Sequence, residues 1–94
     1  MIEEKTLKYI QFMSGFNTID MDMLTMIAES EIEEINNYNS ELDYKVDDLN
    51  TNVTLKAYII ECLKLSLQTR WGNNLEYHQD RKLRYLNKLT NMQV

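Results

Sequence analysis

The stretch that decides the fold is VTLKAYIIECLKLSLQTRW, residues 53–71. Its apolar side chains cover most of the circumference of a helix. A helix that is apolar nearly all round lies at the centre of a bundle or is shared between subunits. Thr51 or Asn52 can cap its first turn, and Gly72 can end it. The segment therefore predicts a long helix from about Val53 to Trp71 with one of these two placements.

Three more helices are expected in the same domain. The chain has no proline and two glycines, Gly15 and Gly72, both where a helix would end. N-caps are offered to the second helix by Asn17, Thr18 and Asp20, and to the fourth by Asn73 with Glu76. We expect a single all-α domain over residues 1–94, a small bundle of about four helices. The predicted helices span residues 2–14, 20–38, 53–71 and 74–91, and residues 39–52 form a long connector loop.

The apolar residues of the flanking helices divide into stripes at three- and four-residue steps. On the first helix a second row is wide enough to contact something besides the core; it consists of Tyr9, Phe12, Met13 and Phe16. The core stripe of the second helix is Leu24, Ile27, Ala28, Ile32, Ile35 and Tyr38, and that of the fourth is Leu75, Tyr85, Leu86, Leu89 and Met92. Met21, Met23 and Met26 are predicted to fill gaps in the core, with an exposed contact surface as the alternative.

In the connector, Leu42, Tyr44 and Val46 alternate with polar residues, a pattern typical of a strand. An isolated strand has no partner within this chain, so it could pair with the sheet edge of a neighbouring molecule. The favoured interpretation is a loop draped over the domain, with these three side chains directed inward.

Charge is divided unevenly along the chain. Residues 1–50 carry twelve carboxylates against three lysines, a net charge of −9. Residues 51–94 carry three carboxylates against seven basic residues, a net charge of +4. Such halves can bind head to tail between copies, forming a ring or a filament, or they can neutralise each other within one monomer.

The residue types that carry catalysis are sparse. His78 is the single histidine and is expected to be a surface or packing residue, because ligands at metal-binding spacing are missing around it. Cys62 lies among leucines, which favours a buried, inert thiol. Glu33 and Glu34 are interpreted as a solvated face. We therefore expect no enzyme, no catalytic residue, no metal and no cofactor.

The fourth helix carries a basic face made of Tyr77, Arg81, Arg84 and Lys88. Three interpretations are open: contact with a nucleic-acid backbone, contact with an acidic protein surface, and a solvated face. The isoelectric point of about 4.8 argues against autonomous DNA binding. The acidic second helix of another copy fits the charge division better.

Two segments resemble a known family. The pattern Asp20, Met23-Leu24, Ile27-Ala28 and Ile32 to Tyr38 is similar to the second helix of the small head–tail connector (head-completion adaptor) proteins of tailed bacteriophages. Residues 55–61, LKAYIIE, followed by residues 69–73, TRWGN, resemble that family's third helix. The resemblance covers about residues 5–75. The family often has a proline at the start of this helix, where the present chain has Asn52-Val53.

The resemblance implies a virion structural protein at the head–tail interface, synthesised in the host cytoplasm. It would form a homo-oligomeric ring between the portal and a stopper or tail-completion protein, with DNA passing through the lumen without specific binding. The expected interface residues are Arg70, Trp71, Tyr77, Arg81, Arg84, Lys88, Glu29, Glu33, Leu42, Tyr44 and Val46.

The alternative function comes from a different class of protein, a small acidic helical regulator or inhibitor that mimics DNA and binds a host protein. An autonomous DNA-binding domain ranks third, because the third helix is too apolar to lie in a groove of DNA. A membrane partner is not expected. The start MIEEKTLKYI differs from a signal peptide, and no stretch of about 18 apolar residues occurs.

Overall fold

The computed structural model describes residues 2–15, 19–67 and 75–90. Within these ranges the chain forms four α-helices and no β-strand. The helices are α1 (Glu4–Ser14), α2 (Met21–Asn36), α3 (Val53–Leu67) and α4 (Leu75–Thr90), and a short 3₁₀ helix covers Val46–Asn50. The predicted fold class, a small all-α bundle with a long connector between the second and third helices, is confirmed.

Helix α3 lies at the centre of the bundle and contacts α1, α2, α4 and the 3₁₀ helix. Its buried apolar side chains lie on several sides of the helix, in agreement with the all-round apolar sequence; they are Leu55, Tyr58, Ile59, Ile60, Cys62 and Leu63. Ile10 from α1, Leu24 from α2 and Leu89 from α4 complete the core around it. The predicted end of this helix at Trp71 and Gly72 lies outside the described residues.

Local capping interactions position three helix ends. Gly15 ends α1 with φ of 83°, a left-handed conformation that glycine adopts without a steric penalty. Asp20 caps α2, because its side chain accepts from the Asp22 N–H at 2.9 Å. Asn52, rather than Thr51, caps α3 by accepting from the Leu55 N–H at 3.0 Å. Asn17, Thr18 and Asn73, the other predicted caps, lie outside the described residues.

Helix α2 ends at Asn36, two residues before the predicted end. The Asn36 side-chain amide pairs with the connector: it donates to the Tyr44 carbonyl and accepts from the Tyr44 N–H, both at 2.9 Å. The chain turns away immediately afterwards, which leaves Tyr38 exposed. The prediction that Tyr38 closes the core stripe of α2 is therefore wrong.

The connector drapes over the bundle. Leu42, Tyr44 and Val46 are half-buried against the core, and the Tyr44 hydroxyl donates to the Leu89 carbonyl of α4 at 2.6 Å. The 3₁₀ helix that follows was not predicted. The Asp48 carboxylate accepts from the Lys45 N–H at 2.8 Å at its start, and its Leu49 is fully buried. The draped loop is the arrangement that the structure shows.

One further sequence prediction concerns the core stripe of α4. Leu75 was assigned to the core stripe of α4, but its side chain is exposed at the first residue of the helix. Met92, assigned to the same stripe, lies outside the described residues.

Among the helices in the described part of the chain, none is long and apolar enough to cross a membrane.

Candidate functional site

A buried carboxylate links α3 to α4. Glu61, in the middle of α3, is almost fully buried, and its Oε2 lies 2.7 Å from Nδ1 of the buried His78. An ionised carboxylate only accepts hydrogen bonds, so a hydrogen bond to it from His78 requires the tautomer that carries a proton on Nδ1. The other oxygen, Oε1, accepts from the Arg81 Nε–H at 3.2 Å. Both Glu61 oxygens are thus satisfied by side chains one turn apart on α4.

Two tyrosines fix the far side of the Arg81 guanidinium. Arg81 donates to the hydroxyls of Tyr77, at 3.2 Å, and of Tyr85. Its guanidinium carbon also lies 5.5 Å and 5.4 Å from the centres of the same two rings, within cation–π range. Arg81 is therefore held in one orientation at the surface, where 39% of its side chain remains exposed.

Sequence reasoning placed Arg81 on an open basic face and missed its partner Glu61. The signal was present: Glu61 is the only carboxylate of the central apolar helix, and such a group is rarely buried without a partner. The pairing itself depends on the crossing of α3 and α4, which the sequence does not specify. The other two basic residues of that predicted face are more exposed than Arg81: Arg84 pairs with exposed Asp80 at 2.9 Å, and Lys88 is exposed.

An open groove runs between α1, α3 and α4 beside this cluster. It has a volume of about 310 Å³ and is lined by three cations and the buried Glu61 among aromatic and apolar side chains. We name it the aromatic–basic groove and define it by six of its lining residues: Tyr9, Met13, Val53, Lys56, Arg81 and Tyr85. The Lys56 ammonium lies 5.2 Å from the centre of the Tyr9 ring. Arg81 and Tyr85 also line a second depression of about 360 Å³ with Arg84, Asn87 and Lys88, so the basic surface continues along α4.

The exposed apolar row of α1 borders this groove. Tyr9 and Met13 line it, and Phe12, which lies on the same side of α1, is 67% exposed. The predicted second row of α1 is therefore directed outward, as expected for a contact surface. Phe16, its last predicted member, lies outside the described residues.

Helix α2 carries a surface of the opposite charge. Met23, Met26, Glu29 and Glu33 are exposed and follow one another at steps of three and four residues, so they share one side of the helix. We call this set the acidic α2 face. The prediction that Met23 and Met26 fill the core is wrong: Met26 is 69% exposed, because Leu24, Ala28 and Ile32 already occupy the buried side of the helix.

The ion pairs between described residues do not cross between the two halves of the chain. In the acidic half, Lys5 pairs with Glu3, Lys8 with Glu4 and Lys45 with Asp43, all between exposed side chains. In the basic half, Glu61 pairs with His78 and Arg81, and Asp80 pairs with Arg84. Each of these pairs joins residues of the same half. The acidic and basic surfaces therefore persist in the folded molecule.

The buried Cys62 thiol is a weak acid. Burial, reinforced by the nearby Glu31, raises the pKa of the Cys62 thiol to about 12, which keeps it protonated at neutral pH and makes it a poor nucleophile. Within the described ranges no three His, Cys, Asp or Glu side chains come together as a metal site would require.

The predicted interface residues fall into four groups in the structure. Tyr77, Arg81, Arg84 and Lys88 lie along α4, and Glu29 and Glu33 lie on the acidic α2 face. Leu42, Tyr44 and Val46 pack on the molecule's own core, and the Tyr44 backbone is already paired with Asn36. Arg70 and Trp71 lie outside the described residues.

Comparison with known proteins gives no match: no protein-family model, no curated protein and no solved structure resembles this chain significantly.

Proposed function

We propose that this protein is a virion structural protein of a tailed bacteriophage, a head–tail connector that acts through protein–protein interfaces and not as an enzyme. It forms a ring between the portal protein and a stopper or tail-completion protein, completes the filled head and joins it to the tail. DNA passes through the lumen of the ring without specific binding. The proposal rests on the resemblance of the second and third helices to that family.

The observation that best supports an assembly role is the presence of two unlike contact surfaces on one small fold. The aromatic–basic groove belongs to α1, α3 and α4, whereas the acidic face belongs to α2. Exposed aromatic side chains beside fixed cations are typical of protein interfaces, in which tyrosine and arginine are enriched. In such contacts the charges direct encounter and register, and the apolar side chains contribute most of the affinity.

Binding to phage heads tests this function. Heads that are filled with DNA, carry a portal and lack a tail are mixed with the protein, and the bound mass is measured by light scattering and quantitative gel analysis. A fixed number of copies bound per head supports the connector. A protein that leaves the heads unchanged at every concentration refutes it.

Charge reversal on α4 tests whether the basic surface of this helix contributes to head binding. The double variant Arg84→Glu/Lys88→Glu is expected to reduce head binding at least tenfold, because both side chains are exposed and lie on the basic surface. Lys45→Glu, at an exposed position of the connector, is the matched control and should bind normally. Arg81→Glu is unsuitable, since it would place a second carboxylate against buried Glu61 and disturb the fold.

One observation favours a second function, an acidic inhibitor that mimics DNA and binds a host protein. Glu29 and Glu33 are exposed one helical turn apart, about 6 Å along the axis of α2, with Glu34 adjacent. A row of carboxylates can imitate a line of phosphates. For this function, neutralising Glu29, Glu33 and Glu34 abolishes activity, and the Arg84→Glu/Lys88→Glu variant retains it.

A further inference from the structure

The aromatic–basic groove and the acidic α2 face have matching properties. The groove offers apolar and aromatic side chains with a rim that includes Lys56 and Arg81. The α2 face offers two exposed methionines followed, toward the C-terminal end of the helix, by Glu29 and Glu33. Methionine is unbranched and flexible, which suits insertion between aromatic rings, and carboxylates on the same helix face would meet the cationic rim.

We propose that the groove of each molecule receives the acidic α2 face of a second copy of this chain, with Met26 inserted between Tyr9, Met13 and Val53. In this contact Glu29 and Glu33 pair with Lys56 and Arg81. The inference rests on the proposed function, in which copies form a ring, and it specifies the two surfaces that meet.

The contact is head to tail. The groove is lined by residues of α1, α3 and α4, and the inserted face belongs to α2, so the two surfaces share no residue. One copy can therefore receive a neighbour in its groove and present its own α2 to the next copy at the same time. Such a heterologous contact closes into a ring when the rotation between copies divides a full turn, and otherwise continues as a filament.

The Arg81 side chain is held in a fixed orientation in the groove before any carboxylate of a partner binds. Arg81 already has its Nε side occupied by Glu61 and its orientation set by Tyr77 and Tyr85. An arginine that is fixed before binding loses less side-chain entropy when it meets a partner's carboxylate. Val53, at the first residue of α3, is 74% exposed at the edge of the groove, where an incoming methionine would cover it.

Cysteine cross-linking tests the pairing of these surfaces. Met26→Cys and Val53→Cys place thiols on the two surfaces at exposed positions, whereas the native Cys62 is fully buried. Three proteins are treated with a short bis-maleimide: each single variant and the double variant. On a denaturing gel we expect each single variant to run as an uncross-linked monomer and the double variant to give a ladder of covalent oligomers. Only the double variant has a reactive thiol on both sides of every contact.

The controls separate this pairing from random collision. Met26→Cys/Ser40→Cys keeps the α2 thiol but moves its counterpart to the exposed connector, and it should not form the ladder. A strong dimer from Met26→Cys or Val53→Cys alone would mean that like surfaces meet, and that outcome overturns the head-to-tail contact. A ladder of equal intensity from the Ser40 control also overturns it.

The same reaction on phage heads distinguishes this inference from the proposed function. Stoichiometric binding to the heads without a ladder, either on the heads or in concentrated solution, overturns the groove contact and leaves the connector function standing. If the protein forms the ladder in solution but does not bind to the heads, the groove contact is supported and the connector function is refuted. A ladder on the heads that ends at one closed oligomer supports both.

Discussion

Replacing Glu61 by leucine tests the α3–α4 contact directly. The Glu61 side chain is 4% exposed and receives His78 at 2.7 Å and Arg81 at 3.2 Å. Leucine fills a similar volume, so the main effect is the loss of both acceptors rather than a new cavity. The buried nitrogen of His78 then faces an apolar side chain in place of a carboxylate.

The size of the effect follows from the exposure of the two partners. Depriving the buried His78 nitrogen of this acceptor costs about 2 kcal/mol. Arg81 adds about 0.5 kcal/mol, because 39% of its side chain meets water, which screens the pair and replaces the lost acceptor. We expect the free energy of unfolding to fall by about 2.5 kcal/mol, which for a domain of this length lowers Tm by about 12 °C.

The assay is urea unfolding followed by the helical circular dichroism signal, with Glu34→Leu as a matched change of an exposed carboxylate. The control is expected to stay within about 0.5 kcal/mol of the native protein. Glu61→Leu/His78→Leu should be at least about 1 kcal/mol more stable than the sum of the two single changes predicts, because it removes donor and acceptor together. A near-native Glu61→Leu variant, or strictly additive single changes, would refute the reasoning.

Three further predictions concern a cap, a connector contact and a buried thiol. Asn52→Ala should lower the free energy of unfolding by about 1 kcal/mol through loss of the α3 cap, while Thr51→Ala should change it little; urea unfolding of both checks this. Tyr44→Phe removes the hydroxyl that donates to α4 and should cost about 1 kcal/mol in the same assay, against no measurable loss for exposed Tyr38→Phe. The pKa of Cys62 is raised from about 9 to about 12 by burial, so the unfolded thiol ionises first and stability falls as pH rises above about 9. By pH 10 the loss should reach about 1.4 kcal/mol relative to a Cys62→Ala variant, and equal pH profiles for the two proteins would contradict it.

Features of the fold that depend on near neighbours in sequence were predictable. Gly15 ends α1 and Asp20 begins α2 because a left-handed glycine and a capping carboxylate act on the backbone within a few residues. The outward direction of Tyr9 and Phe12 followed from helical spacing, since a helix that flanks the core buries one apolar row and leaves the second exposed. The charge division between the two halves is likewise a property of the sequence.

The positions of Met23 and Met26 could not be read from composition. Methionine suits a core gap and a contact surface equally well, and the choice depends on how much of α2 the rest of the bundle covers. The early end of α2 depends in the same way on a distant partner, because Asn36 binds the backbone of Tyr44 eight residues later.

Periodicity and capping act over one or two turns, so the sequence alone specified that this chain forms helices, that α3 is apolar nearly all round and that opposite charges lie on different segments. The packing of the helices sets which charged side chains are buried and which remain exposed for contact with other molecules. This packing buries Glu61 against His78 and Arg81, places Lys56 beside Tyr9 and leaves the acidic side of α2 exposed. These outcomes depend on how the helices cross, and the crossing is set by the packing of side chains that are far apart in the chain.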